Sequence, residues 1–347
     1  MSQSGRVHSI RHRSSWPGSS RGELGGTMRD ACIGVDVGGS KIHVGVVNRE
    51  GQILATRRAP TEIERGAAAL VETIATLAEQ CCDEASVAPL AVGVGIAGQI
   101  DTRAGVVRSS PNLPELREVA LGLRLGERLQ CRVIITNDLR AIARGEWRFG
   151  AGRGVSDLVV LFIGTGVGGA VITGGQPLVG AGGFAGELGH MPIVANGRKC
   201  HCPGRGCVEA YVSGWALAAR AAELLALHPE HTPAFSSAHG VVTAHDLAGA
   251  FAAGDMLAES IIAEAAQHLG AALVGITNVF NPARIVLGGG VLEGLPHLVH
   301  LAKKTLERDS IAVSYNRVEL VHSALGSEAG VIGAATWSWD ELVLENP

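Results

Sequence analysis

Three thiols and an imidazole give the strongest local chemical signal in the chain. Cys200, Cys202 and Cys207 fall within eight residues of one another, and His190 precedes the first of them by ten. That set fits a tetrahedral structural Zn²⁺, with no position left open for catalysis. His201 is an alternative fourth ligand, less suited because it is wedged between two thiols. Three unrelated free thiols would be the plain alternative. Glu187 and Glu209 bracket the cluster, so a metal there would fix a loop that presents both carboxylates to a substrate.

A second constellation is built on glycine. Asp36 interrupts the apolar run Ala31–Val37, two residues before Gly38-Gly39-Ser40-Lys41. A carboxylate in such a run needs a cation or hydrogen bonds. Mg²⁺ held through water and phosphate would supply one, because this ion typically uses only one or two protein carboxylates; a turn-stabilising aspartate is the alternative. Ser40 adds a hydroxyl and Lys41 a positive charge, although Lys41 equally suits a solvated hairpin. Gly164-Thr165-Gly166-Val167-Gly168-Gly169 and Gly288-Gly289-Gly290 also follow apolar runs. Bare backbone lets N–H groups converge on an anion. Hairpins use glycine for positive φ in any case, and none of the three turns has the P-loop spacing. Three such turns after three strands nonetheless match the place where open α/β sheets bind ligands.

Asp138 follows the apolar run Arg132–Thr136. It is either the N-cap of the next helix or a carboxylate able to take a proton from a sugar hydroxyl. Asn137 beside it and Asn112 in Pro111-Asn112-Leu113-Pro114 could hydrogen-bond a polyol, or serve as ordinary turn residues.

The elements that must carry these groups follow from periodicity. Residues 31–37 and 42–47 read as a hairpin around the first glycine turn, 66–82 as a helix, 90–96 as a strand, 121–130 as a helix, 132–136 as a strand and 139–149 as a helix. The pattern restarts at Leu158–Ile163, with its own glycine turn and return strand 170–172, which suggests an internal duplication. A long helix over 256–279 stops at Asn281-Pro282, a strand covers 284–287, and Ser327 is expected to cap a last helix over 328–342. Strands alternating with helices imply α/β layers. Two domains are expected, a small one over 31–147 and a large one over 148–327 carrying the cysteine loop, with the C-terminal helix (328–347) packing back on the first.

Composition excludes several classes. Of 347 residues, 48 are glycine and 46% are hydrophobic, which is neither a disordered nor a collagen composition. A net charge of −4 offers no nucleic-acid footprint. The uninterrupted apolar runs are far shorter than the roughly 20 residues of a membrane helix. An odd count of seven cysteines argues against a disulfide framework and for a reducing, cytoplasmic setting. Residues 1–30 are rich in Arg, Ser and Gly without an apolar segment; they read as a disordered tail, with Met28 an alternative start.

Taken in order, Asp36-Val37-Gly38-Gly39-Ser40-Lys41, Asn137-Asp138, the 164–169 turn, Gly186-Glu187-Leu188-Gly189-His190, the Cys200–Glu209 segment and Gly288–Gly290 resemble the ROK (repressor, open reading frame, kinase) family of sugar kinases, from about residue 31 to 340. The resemblance implies an actin-like ATPase fold (ribonuclease H-like), with two α/β domains around a cleft. It implies ATP against the three glycine turns and a hexose held by Asn112, Asn137, Asp138, Glu187, His190 and Glu209. Asp138 matches the family's general base, and His190 would serve both zinc and sugar. Glucose phosphorylated at its 6-hydroxyl is the expected reaction; N-acetylglucosamine, N-acetylmannosamine, mannose and fructose are the alternatives. A homodimer is also implied. Some members are sugar-responsive repressors with a winged helix-turn-helix ahead of the core, which the 30 residues before Ala31 do not resemble. Ser40 replaces the family's usual Thr, and Pro203 its usual Gly. Bulk at Gly166 is expected to harm ATP binding more than sugar binding.

Overall fold

The protein is described from a computed structural model, over residues 31–228 and 242–345. The expected tail lies outside these residues.

The first half contains β1 (Ala31–Val37), β2 (Lys41–Asn48), β3 (Ile53–Pro60), α1 (Gly66–Ala85), β4 (Val92–Ile96), β5 (Gln99–Asp101), β6 (Val106–Ser109), α2 (Leu121–Leu129), β7 (Val133–Asn137) and α3 (Asp138–Phe149). The main sheet runs β3-β2-β1-β4-β7. The β1–β2 hairpin is antiparallel, with Val37 opposite Ile42, while β1–β4 and β4–β7 are parallel. Parallel strands covered on both faces are apolar almost throughout, as Val92–Ile96 shows. α1 buries Leu70, Ile74, Leu77, Ala78 and Cys81, one stripe at helical spacing.

The second half repeats the plan with β8 (Leu158–Ile163), β9 (Val167–Thr173), β10 (Gln176–Pro177), α4 (Glu209–Val212), α5 (Gly214–Leu227), α6 (Ala244–Ala252), α7 (Met256–Phe280), β11 (Arg284–Gly288), α8 (Gly290–Gly294), α9 (Pro296–Asp309), α10 (Ala312–Tyr315), β12 (Glu319–His322) and α11 (Ala329–Glu345). Its sheet runs β10-β9-β8-β11-β12. Again the first pair is antiparallel and the next two are parallel. The duplication read from the two glycine turns is thus a duplication of sheet topology.

α7 starts on Asp255, whose side chain accepts from the Leu257 and Ala258 N–H groups at 2.9 and 3.0 Å. It ends at Asn281 in the left-handed region, directly before Pro282. By length and composition α7 could span a membrane, which short apolar runs had not suggested, because Glu259 and Glu264 break the run without lowering the average enough. In this fold it is a core helix, 56% of its apolar window being buried.

α3 and α11 pack on each other. α11 covers one face of the first sheet through Val331, Ala335, Trp337 and Trp339, and α3 covers the second sheet through Ala143. Ser327 does not cap α11. It lies in a 3₁₀ turn, Gly326–Glu328, and its hydroxyl accepts from Arg58 at 3.2 Å.

The chain passes between the two sheets twice, after α3 and again before α11. Both passages meet on Glu146, which is fully buried. Its carboxylate accepts from Ala151 N at 2.8 Å, Ser323 Oγ at 2.5 Å, Ala324 N at 3.0 Å and Leu325 N at 2.9 Å.

Candidate active site

Asp36, Asn137 and Gly288 lie at or next to the carboxyl ends of the parallel strands β1, β7 and β11. Asp36 lies near the end of β1, and a Cβ on Gly330, in the first turn of α11, would fall 2.6 Å from its Cγ. Burial raises the Asp36 pKa to about 6, with Lys41 pulling the other way. The first glycine turn closes through Gly38 N donating to Lys41 O at 3.0 Å. Asn112 flanks it: a Cβ on Gly39 would lie 3.2 Å from the Asn112 Cβ.

β7 delivers Asn137 and Asp138. The helix cap is Asn137, not Asp138: its Oδ1 accepts from Leu139 N at 3.0 Å and Arg140 N at 3.3 Å, and its Nδ2 donates to Gly98 O at 3.2 Å. Most of this amide is therefore used by the fold, leaving one N–H for a ligand. Asp138 is relieved of capping and begins α3, accepting from Leu139 N at 2.9 Å. Its pKa is raised to about 7, chiefly by burial and then by the charge of Asp36, with a smaller push from Glu187.

The second half supplies the opposite wall. The turn after β8 is shorter than the sequence implies, since Gly168 and Gly169 belong to β9, opposite Phe162 and Leu161. They leave room for Leu139 and Leu188, whose side chains a Cβ there would meet at 2.9 and 2.7 Å. Glu209 is buried; its Oε2 accepts from Val167 N at 2.9 Å and its Oε1 takes the Cys200 thiol at 3.8 Å. It therefore joins the glycine turn to the cysteine loop. A Cβ on Gly166 would meet Glu209 Oε2 at 2.7 Å, so bulk there would strike a predicted sugar residue as well as the predicted phosphate turn. Glu187 is exposed at the edge of a cavity of about 40 Å³, lined among others by Asn137, Arg140, Gly168, Gly169 and Gly186. Arg140 was not singled out from sequence. A polar residue in the first turn of an amphipathic helix reads as a solvated face, yet it is 6% exposed.

Whether the turns are shaped for a ligand can be judged from their glycines. Gly164 and Gly290 have no positive φ, and a Cβ on either would meet nothing within 4 Å. Neither backbone strain nor packing requires glycine at these two positions, so the open space beside them suits a group that approaches the backbone closely. Gly289 is different: its φ is 98° and a Cβ would press on the Ile163 backbone.

The ligand atoms of His190, Cys200, Cys202 and Cys207 lie within 4.8 Å of one another. His190 Nδ1 is 3.7 Å from Cys200 Sγ, and Cys202 Sγ is 3.7 Å from Cys207 Sγ. A tetrahedron with metal–sulfur bonds of about 2.3 Å has edges of about 3.8 Å, so the donor set fits such an ion. His201 instead stacks on Trp215, with ring centroids 4.0 Å apart. Pro203 cannot donate to a thiolate, but Gly204 N does, to Cys202 at 3.3 Å.

Known proteins share this plan. The ROK family model matches residues 32–341. A glucokinase of Thermotoga maritima is 35% identical over 306 residues, 88% of this chain and 96% of that protein. The ROK hexokinase of Thermus thermophilus is 32% identical, with a TM-score of 0.77 over 90% of this chain and 99% of its own. A ROK family glucokinase of Streptomyces griseus, solved with glucose and AMPPNP, is 33% identical, with a TM-score of 0.75 over 88% and 98%. With the family model matching from residue 32 to 341 and relatives 32 to 35% identical over nearly the whole of both chains, the chain belongs to the ROK family.

Proposed function

We propose that the protein transfers the γ-phosphoryl group of ATP to a hexose hydroxyl, with the 6-hydroxyl of glucose as the preferred acceptor. The observation that carries this reading is the placement of Asp138. A carboxyl group with a pKa raised by burial to about 7 sits between the cavity-lining Asn137 and Leu139 and feels the charges of both Asp36 and Glu187. Such a group is matched to taking a proton near neutral pH.

Asn112, Asn137, Glu187, His190 and Glu209 orient the hexose. Asp138 accepts the proton as the sugar oxygen bonds to phosphorus and the bond from that phosphorus to the bridging oxygen breaks, leaving ADP. Gly38, Gly39, Gly164, Gly166 and Gly288–Gly290, with Ser40, Lys41 and Thr165, keep backbone and donors close to the nucleotide. Positioning and charge neutralisation carry most of such a transfer. Mg²⁺, when bound on the Asp36 side, supplies countercharge to the phosphates. His190, Cys200, Cys202 and Cys207 would hold a structural Zn²⁺, which would fix the loop that leads into Glu209 at the start of α4.

A coupled assay with ATP across glucose, mannose, fructose, N-acetylglucosamine and N-acetylmannosamine tests the reading, with a parallel arm using polyphosphate as donor. The highest kcat/KM is expected for glucose with ATP. Turnover of none of the sugars would reject the kinase; a preferred acetamido sugar would reassign the acceptor.

A further inference from the structure

Arg140 is the one lysine or arginine among the buried polar residues of the described chain. Cations are rarely buried without a carboxylate partner, yet among the described residues Arg140 makes no ion pair. Its Nη2 donates to the backbone carbonyl of Ala185 at 2.9 Å, and its side chain lines the same cavity as Glu187. Ala185 lies two residues before Glu187, in a loop with Gly180, Gly183 and Gly186 all at positive φ. Glycine backbone gives up the most conformational freedom on ordering, so such a loop holds one shape only where something ties it down. Within the loop, Gly183 N bonds Gly180 O at 3.2 Å and Ala185 N bonds Val179 O at 3.0 Å. These bonds shape the loop without fixing it to the first half of the molecule. The Arg140 bond does fix it, from the same helical turn that carries Asp138.

We infer that Arg140 is a positioning residue for acceptor binding: by clamping the Ala185 carbonyl to the first turn of α3, it sets Glu187 against Asp138. The inference rests on the hexose-kinase reading and adds a residue to it. The adjacent Glu187 carboxylate also favours the charged guanidinium, partly offsetting the cost of burial.

The test compares Arg140→Ala, Arg140→Lys and Glu187→Gln with the double variant Arg140→Ala/Glu187→Gln in the same coupled assay, with thermal melts for each. A charge-assisted hydrogen bond lost from Arg140→Ala should raise the KM for the hexose about ten-fold or more, leave the KM for ATP within about two-fold, and lower kcat less than it raises the hexose KM. Arg140→Lys keeps a donor and a charge and should recover part of the loss. Because Arg140 acts through Glu187, the double variant should be scarcely worse than Glu187→Gln alone. Additive losses, or equal rises in both KM values, would make Arg140 a general structural residue and overturn the inference, as would a hexose KM unmoved in a folded Arg140→Ala. If Arg140→Ala does not fold, Arg140→Lys is read alone, and a wild-type hexose KM or failure to fold there also overturns it. A wild type that turns over no hexose defeats the parent reading, whereas an active wild type with an insensitive Arg140 defeats this inference alone.

Discussion

Two groups of glycines in this protein serve opposite ends. In the seam around α11, glycine is there because no space remains. A Cβ on Gly34 would overlap the Val331 carbonyl, one on Gly93 the Ala334 carbonyl, and one on Gly333 the Ala141 carbonyl. Backbone meets backbone there, helix on sheet and helix on helix. In the turns at Gly164 and Gly290, a Cβ would meet nothing. One region spends its glycines on contact, the other on vacancy. The excess of glycine is therefore not a single signal of nucleotide binding, and part of it belongs to the packing of the last helix.

The contrast can be broken experimentally. The largest effect is expected in the seam. Gly333→Ala should cost about 3 kcal/mol or more, since overpacking of a tight backbone contact cannot relax locally; a thermal melt within a few degrees of wild type would end the contrast. Asp138→Asn should do the reverse, cutting turnover about 100-fold or more while keeping the fold. Its pH behaviour sharpens the point. Because the folded pKa is raised to about 7, turnover should climb as pH rises through about 7. The same shift favours the protonated folded state, so stability should fall as pH rises from the ordinary carboxylate range through 7. Asp138→Asn should therefore flatten that slope and melt higher than wild type at pH 8, measured by calorimetry across pH.

The metal loop asks whether a ligand can replace close packing as the source of order. Cys207→Ser, or removal of metal by a chelator, should release about one Zn²⁺ per chain by elemental analysis and raise the hexose KM ahead of the ATP KM. The smallest change should come from Gly164→Ala and Gly290→Ala. Stability should move by less than about 0.5 kcal/mol, while the KM for ATP rises roughly five-fold. An unchanged ATP KM would leave those two glycines without a function.

Sequence carried the local features well. Apolar runs interrupted by glycine placed both hairpins, and Asn281-Pro282 ended α7 as read. The position of His201, wedged between two thiols, favours His190 as the fourth group, and the fold places His190 beside the three thiols while His201 stacks on Trp215. What sequence missed is non-local. Gly333 lies 192 positions from its partner Ala141, and neither residue marks the other. Arg140 looks like any polar residue in a first helical turn until the 180–186 loop closes over it. From position alone Asp138 reads as a cap as readily as a base, because Asx residues favour caps; with two adjacent Asx residues the fold makes Asn137 the cap. Ser327 departs from its expected capping role for a related reason: a 3₁₀ turn precedes α11, and Arg58 from β3 donates to the hydroxyl.

Glu146 adds a statement about kinematics. Two rigid bodies joined by two separate strands of chain could shear, slide and twist. Here both strands are bonded to one carboxylate, at Ala151 on one side and Ser323 to Leu325 on the other. The halves also meet where α3 packs on α11 and where Arg140 bonds the Ala185 carbonyl, so Glu146 is one anchor among several. What sets Glu146 apart is that it holds both connecting passages, so that a displacement of one is passed through the same carboxylate to the other.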